Sequence, residues 1–369
     1  MSTHSQYFNN VDALRFTAFL FVFFGHTFFS DTPSIVGFVD EVNYTLEPYP
    51  YLGVSFFFEL SSFLLTWLVL NEYELTNSFG LKNFYSRRAL RIWPLYFFII
   101  FATYSVVSVF SSSQLQVSTL PNIWWFITFT ANYYVAYVSD DFLFFLVFLW
   151  TISVEEQFYL LWGILMRYFY NNINGIVVCL FIAHFVFLFA EAAKIIDHVY
   201  YDTLNYLPAF ALGALLANIS AKKTQLFRWL KERSRLFWLL LYSFFFVALY
   251  FFRVGEHHMF VPGFRQIAFN ILFIFILFDQ CFNTNRLFNV GKFKWINYLG
   301  KISFGLYCWH GVAITVIKTI AARYVANESY WHSFLIYPAV VLLLVVAISI
   351  ASYELYERKF LKLKDYFRT

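Results

Sequence analysis

Arg15 and His26 lie eleven residues apart in the apolar stretch "VDALRFTAFLFVFFGHTFFS". In one helix, at ~100° per residue, they return to within about 20° of one face, with their Cα atoms ~16 Å apart. Because an imidazole gains and loses a proton near neutral pH, a histidine inside a membrane is a candidate for proton transfer. A snorkelling arginine and a histidine bonded to a backbone carbonyl remain the alternative for this stretch alone.

Carboxylates and a second histidine occupy similar apolar surroundings. The stretch "LWTISVEEQFYLLW" contains Glu155 and Glu156, while Glu59 and His310 lie in two further apolar stretches. An ionised carboxylate in hydrocarbon is costly unless it has a partner or a wet cavity. A structural ion pair with Arg or Lys is one explanation. Together with His26, however, these residues predict a polar, reactive cavity inside the protein.

A third group is cationic. In "NFYSRRALRIWPLYFF", Arg87, Arg88 and Arg91 stand at the start of an apolar stretch, and Pro94 follows where it can shape the helix entrance. Arg88 and Arg91 share nearly one helix face at i, i+3 spacing, and two guanidinium groups on one face can bind phosphate. The alternative is ordinary anchoring of the helix at the cytoplasmic surface.

The elements that position these residues are predicted to be membrane helices. Of the 369 residues, 60% are hydrophobic and only 13% are charged, about half the charged fraction of a soluble protein. Repeated apolar runs of membrane-spanning length predict an all-α polytopic helical bundle. We predict about ten transmembrane helices, near residues 12–30, 51–70, 92–110, 143–166, 174–190, 203–219, 236–252, 264–281, 302–322 and 333–356.

The placement of positive charge predicts the orientation. Alternate connections and the tail, residues 71–91, 167–173, 220–235, 282–301 and 357–369, hold 20 of the 26 Lys and Arg residues. Because Lys and Arg concentrate on the cytoplasmic side, both termini are predicted to be cytoplasmic. Counting 121–138 as a full span would invert all later connections, so we predict a re-entrant or interfacial segment there.

The N-terminus lacks the basic region of a cleaved signal peptide, so we expect the first helix to be retained. Residues 1–369 are expected to form one membrane domain without a soluble C-terminal extension. His257 and His258 in "GEHHMF" are expected to be structural or solvated, and no metal site is predicted.

Five stretches resemble, in order, the motifs of the acyltransferase-3 family of integral membrane O-acyltransferases. They are "NNVDALRFTAFLFVFFGHTFF", "GVSFFFELSSFLL", "FYSRRALRIWPLYF", "LWTISVEEQFYLLW", and the pair "ISFGLYCWH" with "SYELYERKF". The resemblance extends from about residue 9 to residue 360. The sequence departs from the family where Ser61 and Ser62 replace a Ser-Gly pair and where Glu59 replaces an apolar residue.

The resemblance implies transfer of an acyl group, usually acetyl, from cytoplasmic acyl-CoA to a hydroxyl of a cell-surface or secreted glycan or glycoside. His26 takes the place of the family's essential histidine and Arg15 that of its paired arginine. Arg88 and Arg91 match the pair that holds the CoA phosphates. Glu155 matches an acidic position of the family, whereas Glu156 stands at a position where the family varies. We expect His26 to act as general base, with an acyl-histidine as the alternative, and Glu155 to orient it.

Three further residues, Glu59, Tyr307 and His310, are candidates for contact with the substrate. The expected location is the bacterial inner membrane, with membrane lipid and a glycan acceptor as partners and no nucleic acid; the oligomeric state stays open. The main rival is a transporter or flippase with a buried His/Glu proton relay. The chain lacks the internal repeats and the broken spans in corresponding halves that are typical of such transporters.

Overall fold

A computed structural model describes residues 8–30, 32–46, 48–110, 120–196, 199–252, 261–325 and 328–367. These residues contain seventeen α-helices, short 3₁₀ and π turns, and no strand, which confirms the predicted helical membrane bundle. In chain order the helices are α1 (Asn9–Phe24), α2 (Val36–Leu46), α3 (Pro48–Thr76), α4 (Leu81–Phe110), α5 (Trp124–Ile127), α6 (Ala131–Tyr137), α7 (Phe144–Val147), α8 (Trp150–Phe169), α9 (Ile173–Ala192), α10 (Leu207–Ala221), α11 (Gln225–Lys231), α12 (Arg235–Phe252), α13 (Val261–Phe282), α14 (Lys294–Lys301), α15 (Ser303–Tyr324), α16 (Tyr337–Ser352) and α17 (Arg358–Lys362).

The number of spans differs from the prediction. Within the described ranges, seven helical stretches are long and apolar enough to cross a membrane, or eight if α11 and α12, bent by 95°, count as one span. The count of ten is therefore not confirmed. One reason is that α1 has only 16 residues, too few to cross ~30 Å of hydrocarbon. Another is that α8 and α9, predicted as separate spans, lie in one helical stretch of 49 residues.

As predicted, the segment at 121–138 is not a single spanning helix. It breaks into α5 and α6, of 4 and 7 residues, and Phe129 between them has a positive φ of 54°. At 1.5 Å per residue neither helix approaches the thickness of the hydrocarbon layer. The segment packs close to α8, where the side chain of Gln157 donates to the carbonyl of Phe129 at 2.8 Å.

The centre of the bundle is α3, most of whose side chains are buried. Its neighbour α10 approaches closely at Gly213, where a Cβ atom would lie 2.3 Å from the carbonyl oxygen of Glu59. Helices in membranes gain packing energy from such small-residue contacts, since they are not held together by exclusion of water. The hydroxyl of Ser62 also donates to the carbonyl of Phe210 in α10 at 2.6 Å. This contact fixes the α3 face that carries Ser61.

The first half of α1 is held by α13 and α14. A Cβ atom at Gly300 of α14 would lie 1.7 Å from the carbonyl oxygen of Asp12, so only glycine fits there. The side-chain amide of Asn10 donates to the carbonyl of Gln280 in α13 at 2.8 Å. These contacts set the position of Arg15, one turn further along α1.

Candidate active site

One small cavity gathers most of the polar residues that the sequence singled out. The arginine cavity, of about 60 Å³, lies between α1, α3, α4, α8 and α15. Its polar walls come from Arg15, Ser61, Arg88, Arg91, Thr151, Glu155, Tyr159, Ser303 and Tyr307. Five predicted site residues, on four helices, therefore meet at one place: Arg15, Arg88, Arg91, Glu155 and Tyr307.

The three arginines at the start of α4 differ in their partners. Arg87 donates to Glu72 at 3.0 Å and to the carbonyl of Phe367 at 2.6 Å, so it joins α4 to the neighbouring elements. Arg88 and Arg91 form no hydrogen bond or ion pair with any described residue, although the Nε atom of Arg88 is buried. Unused guanidinium donors facing a cavity are available to an incoming anion.

The cavity is rich in positive charge. Arg15 pairs with Asp12, one turn earlier in α1, at 3.3 Å. The guanidinium groups of Arg15, Arg88 and Arg91 interact electrostatically with one another. Like charges gathered in a partly buried cavity are stabilised by anionic ligands. The geometry thus suits phosphate or another anionic group.

Glu155 is engaged inside the arginine cavity, not by His26. The hydroxyl of Ser61 donates to its Oε1 atom at 2.7 Å, and the hydroxyl of Tyr159 donates to the same oxygen. Glu155 forms no hydrogen bond with His26, and the two side chains line different cavities, so the expected orientation of His26 by Glu155 is not seen in this arrangement. Tyr159 could have been found at i+4 from Glu155, on the same helix face; the role of Ser61 requires the packing of α3 on α8.

His26 lines a second, much larger cavity. The histidine cavity, of about 1330 Å³, has walls from the end of α1, one face of α2, Phe144 of α7, Tyr200 and Tyr201, and the second half of α15. Helix α1 ends at Phe24, so His26 follows the helix, and its side chain lines this cavity and not the one that Arg15 lines. The arginine and histidine cavities share no lining residue.

The hydrogen bond of His26 defines its chemistry. The Nδ1 atom lies 2.7 Å from the carbonyl oxygen of Val22. Because a carbonyl oxygen only accepts, Nδ1 carries the hydrogen and Nε2 of the neutral ring has a free lone pair. No described residue bonds to Nε2, and the side chain is partly exposed. The imidazole is therefore able to accept a proton from a molecule in the histidine cavity.

A set of four residues, named here the partition, separates the two cavities: Phe148, Thr151, Tyr307 and His310. Thr151 donates to the hydroxyl of Tyr307 at 2.9 Å, and this hydroxyl donates to the carbonyl of Phe148 at 3.2 Å. The Phe148 ring packs against both His26 and His310, with centroid distances of 4.6 and 4.5 Å. Since Thr151 and Tyr307 also line the arginine cavity, the partition is continuous from one cavity to the other.

His310 lies within the partition. Its Nδ1–H donates to the carbonyl of Tyr307, and no described residue forms a hydrogen bond with its buried Nε2. The ring is 5.9 Å from that of His26, centroid to centroid. His310 and Tyr307 were predicted to contact substrate; the structure places Tyr307 on the arginine cavity and His310 between the cavities.

Two other candidate acids lie elsewhere. Glu59 is fully buried and lines neither cavity, and its carboxylate has no hydrogen-bond partner among the described residues, so its contact with substrate stays a prediction. Glu156 accepts a hydrogen bond from the indole of Trp93 at 3.0 Å and also lines neither cavity. His257 and His258 lie outside the described residues.

Comparison with known proteins relates the chain to a family of acyltransferases. A family model described as an acyltransferase domain matches residues 8–353. The chain is 28% identical over 295 residues to O-acetyltransferase OatA of Staphylococcus aureus (strain NCTC 8325 / PS 47), covering 73% of this chain and 47% of that protein. It is 24% identical over 351 residues to the putative peptidoglycan O-acetyltransferase YrhL of Bacillus subtilis (strain 168), covering 89% and 52%. The chain spans about half the length of these curated relatives, and no solved structure matches it.

Proposed function

The chain belongs to the acyltransferase-3 family of membrane O-acyltransferases, and on this premise we propose that it moves an acyl group, acetyl in the first instance, from cytoplasmic acyl-CoA to a hydroxyl of a cell-envelope glycan. The observation that carries the proposal is the pair of unpartnered arginines, Arg88 and Arg91, lining one cavity with Arg15 and Glu155. Family membership favours an enzyme over the transporter that the buried His and Glu residues alone also allowed.

The arginine cavity is proposed as the donor site. At about 60 Å³ it is too small for a nucleotide but suits the end of an acyl arm. The phosphates of CoA would therefore remain at its mouth, within reach of Arg88 and Arg91. Under this proposal the arginine end of the bundle and both termini face the cytoplasm, which the excess of Lys and Arg in the connections at that end supports.

The histidine cavity is proposed as the acceptor site. The Nε2 atom of His26 takes the proton from an acceptor hydroxyl as its oxygen attacks the thioester carbonyl. The carbon–sulfur bond then breaks, the CoA thiolate leaves, and the proton on the imidazolium returns to solvent or to the thiolate. The reaction requires the partition to move, because His26 and the donor cavity lie on opposite sides of it.

Arg15 and Glu155 are proposed to act on the donor. The charge of Arg15 is suited to stabilise the oxyanion that forms when the thioester carbonyl is attacked. The negative charge of Glu155, which is held by Ser61 and Tyr159, stabilises the neighbouring guanidinium of Arg15 and offsets the repulsion among the arginines. In this scheme Glu155 supports the arginines and not the histidine.

The acceptor is proposed to be a glycan outside the cytoplasmic membrane of a bacterium. The relatives' names, an O-acetyltransferase and a putative peptidoglycan O-acetyltransferase, support a cell-envelope sugar as the acceptor class. The histidine cavity is large enough for sugar rings.

The direct test is acyl transfer by the purified full chain in nanodiscs. Labelled acetyl-CoA is supplied with envelope glycans from cells that lack the protein, and the products are analysed by mass spectrometry. We expect label in ester linkage to sugar hydroxyls. Recovery of unmodified glycan and intact acetyl-CoA, with protein that is folded by thermal-shift measurement, would overturn the proposal.

A further inference from the structure

Two cations of the histidine cavity have no part in the proposed transfer. Lys318 and Arg323 of α15 both line the cavity that contains His26. They lie about 7.5 Å apart along the helix axis. Of the 26 Lys and Arg residues, 20 lie in the predicted cytoplasmic connections and the tail, so cations near the opposite surface are scarce. Two of these few share one cavity with the candidate base.

Neither cation is neutralised by the protein. Lys318 and Arg323 are exposed and form no ion pair or hydrogen bond with any described residue. The guanidinium of Arg323 lies 5.8 Å from the centroid of the adjacent Tyr324 ring. Asp40 of α2 lines the same cavity but pairs with neither cation. The cavity therefore presents a net positive charge to whatever enters it.

The remaining walls are suited to sugars. Rings from Tyr44, Phe144 and Tyr201 provide flat apolar surfaces, against which the C–H faces of a sugar ring can pack. Asn43 and Thr315 add amide and hydroxyl groups. The volume, about 1330 Å³, exceeds that of a typical small-ligand site, so there is space for more than one sugar unit.

Ordinary membrane anchoring explains these cations less well. A snorkelling lysine or arginine extends toward lipid headgroups at the bilayer surface. Both side chains instead line a cavity whose walls also include His26. From this juxtaposition we propose that the histidine cavity binds an anionic glycan, with a carboxylate or phosphate held by Lys318 and Arg323 while a hydroxyl approaches His26.

This inference rests on the proposed function for the identity of the cavity as the acceptor site, but its test does not require acyl transfer. The probes are tetragalacturonate and its methyl ester, which have the same sugars and differ in charge. Binding to the full chain in phosphatidylcholine nanodiscs is measured by microscale thermophoresis without any acyl donor. The variants are Lys318→Gln with Arg323→Gln together, and Lys194→Gln as an exposed control outside the cavity.

We expect the unaltered protein to bind the free acid roughly fivefold to thirtyfold more tightly than the ester at low salt, as two partly solvated ion pairs allow. The double variant should lose this preference, and Lys194→Gln should keep it. Added salt should weaken the preference. Equal binding of acid and ester by the unaltered protein, or a preference that survives in the double variant, would overturn the proposal.

A lipid phosphate is the other source of an anion at this position. The measurement is therefore repeated in nanodiscs containing phosphatidylglycerol. A preference that persists there supports a glycan site, whereas a preference abolished by the anionic lipid assigns the cations to headgroups and overturns the proposal. If the preference holds but no glycan is acylated, the proposed function fails while the anionic site stands.

Discussion

The two cavities of the bundle differ in size, in charge and in how far their polar groups are already hydrogen-bonded. The arginine cavity is more than an order of magnitude smaller than the histidine cavity and holds three guanidinium groups and a hydrogen-bonded carboxylate. The histidine cavity is wide, and the Nε2 atom of its imidazole has no partner within the described part of the chain. A small charged site suits one fixed chemical group, whereas a wide site suits acceptors of varied shape.

In the proposed reaction this difference separates recognition of the donor from proton transfer. The proposed donor, acyl-CoA, has an anionic headgroup and a thin acyl arm, which would match a cationic mouth and a narrow interior. The proposed acceptor hydroxyl needs a base whose lone pair is free. The partition lies between the two cavities, with Tyr307 bonded to Thr151 and to the Phe148 carbonyl, and we expect it to limit the passage of water from one cavity to the other.

The largest expected effect is at the histidine cavity. His26→Ala removes the proposed base and should lower acyl transfer by about 10²- to 10⁴-fold. Its hydrogen bond reaches only the adjacent turn, at Val22, so folding should be retained. Initial rates of label transfer and thermal unfolding are measured together.

His184 provides a matched control, since its Nδ1 atom also donates to a backbone carbonyl, that of Leu204 at 3.1 Å, and it lines neither cavity. His184→Gln should transfer label at nearly the normal rate. Normal transfer by His26→Ala would show that His26 is not the base. The proposed chemical difference between the two cavities would then fail as well.

The next effect is at the arginine cavity. Replacing Arg88 and Arg91 by alanine removes unpaired donors, and each should raise KM for acetyl-CoA by about tenfold to a hundredfold, the usual range for hydrogen bonds to charged groups. KM for the acceptor should change little. Initial rates measured with each substrate varied in turn give KM for acetyl-CoA and KM for the acceptor separately.

Arg87 is the comparison variant, because it is already bonded to Glu72 and Phe367. Arg87→Ala should lower the unfolding temperature and leave KM for acetyl-CoA near normal. A double variant of Arg88 and Arg91 that weakens donor and acceptor equally would indicate damage to the fold and not loss of a donor site.

A smaller effect is expected at the partition. Tyr307→Phe keeps the ring but loses the hydroxyl that donates to the Phe148 carbonyl, a bond worth about 1 kcal/mol. If this bond keeps the cavities apart, the variant should hydrolyse acetyl-CoA without acceptor several-fold faster, as water gains access. A slower reaction both with and without acceptor would instead give the hydroxyl a role in the chemistry.

The arginine cavity was largely predictable from sequence, and its relation to His26 was not. The i, i+3 spacing of Arg88 and Arg91 and the apolar setting of Glu155 pointed to a charged interior, which packing of α1, α4 and α8 creates. The position of His26 depends on where α1 ends. Gly25 was a local signal for that end, and it also lies against Pro50, where a Cβ atom would be only 2.0 Å from the proline ring.

The number of spans and the partner of Glu155 depended on tertiary contacts. A hydrophobic run does not reveal that α8 and α9 continue as one helical stretch, or that α1 stops after 16 residues. Similarly, periodicity places Tyr159 beside Glu155, but Ser61 reaches this carboxylate across 94 positions of the chain. Residues on one helix were therefore predicted better than contacts between helices.

The smallest expected effects separate the two serines of α3. Ser61 donates to Glu155 in the arginine cavity, whereas Ser62 donates to the Phe210 carbonyl at the packed contact with α10. Ser61→Ala leaves Glu155 with the Tyr159 bond and should reduce transfer by a few-fold, since one hydrogen bond is worth about 1 kcal/mol. It should lower the unfolding temperature less than Ser62→Ala does, because Ser61 lines a cavity whereas Ser62 is fully buried.

Ser62→Ala should lower the unfolding temperature more and the transfer rate less, because the lost bond joins α3 to α10 in the interior of the bundle. The carbonyl of Phe210 keeps its place in α10, so the cost is expected in the unfolding temperature and not in KM for acetyl-CoA. Transfer rates and thermal unfolding of both variants are measured side by side. If the two variants show the same transfer rate and the same unfolding temperature, the Ser61–Glu155 bond contributes only to packing. The proposed support of the arginines by the Glu155 carboxylate would then be contradicted.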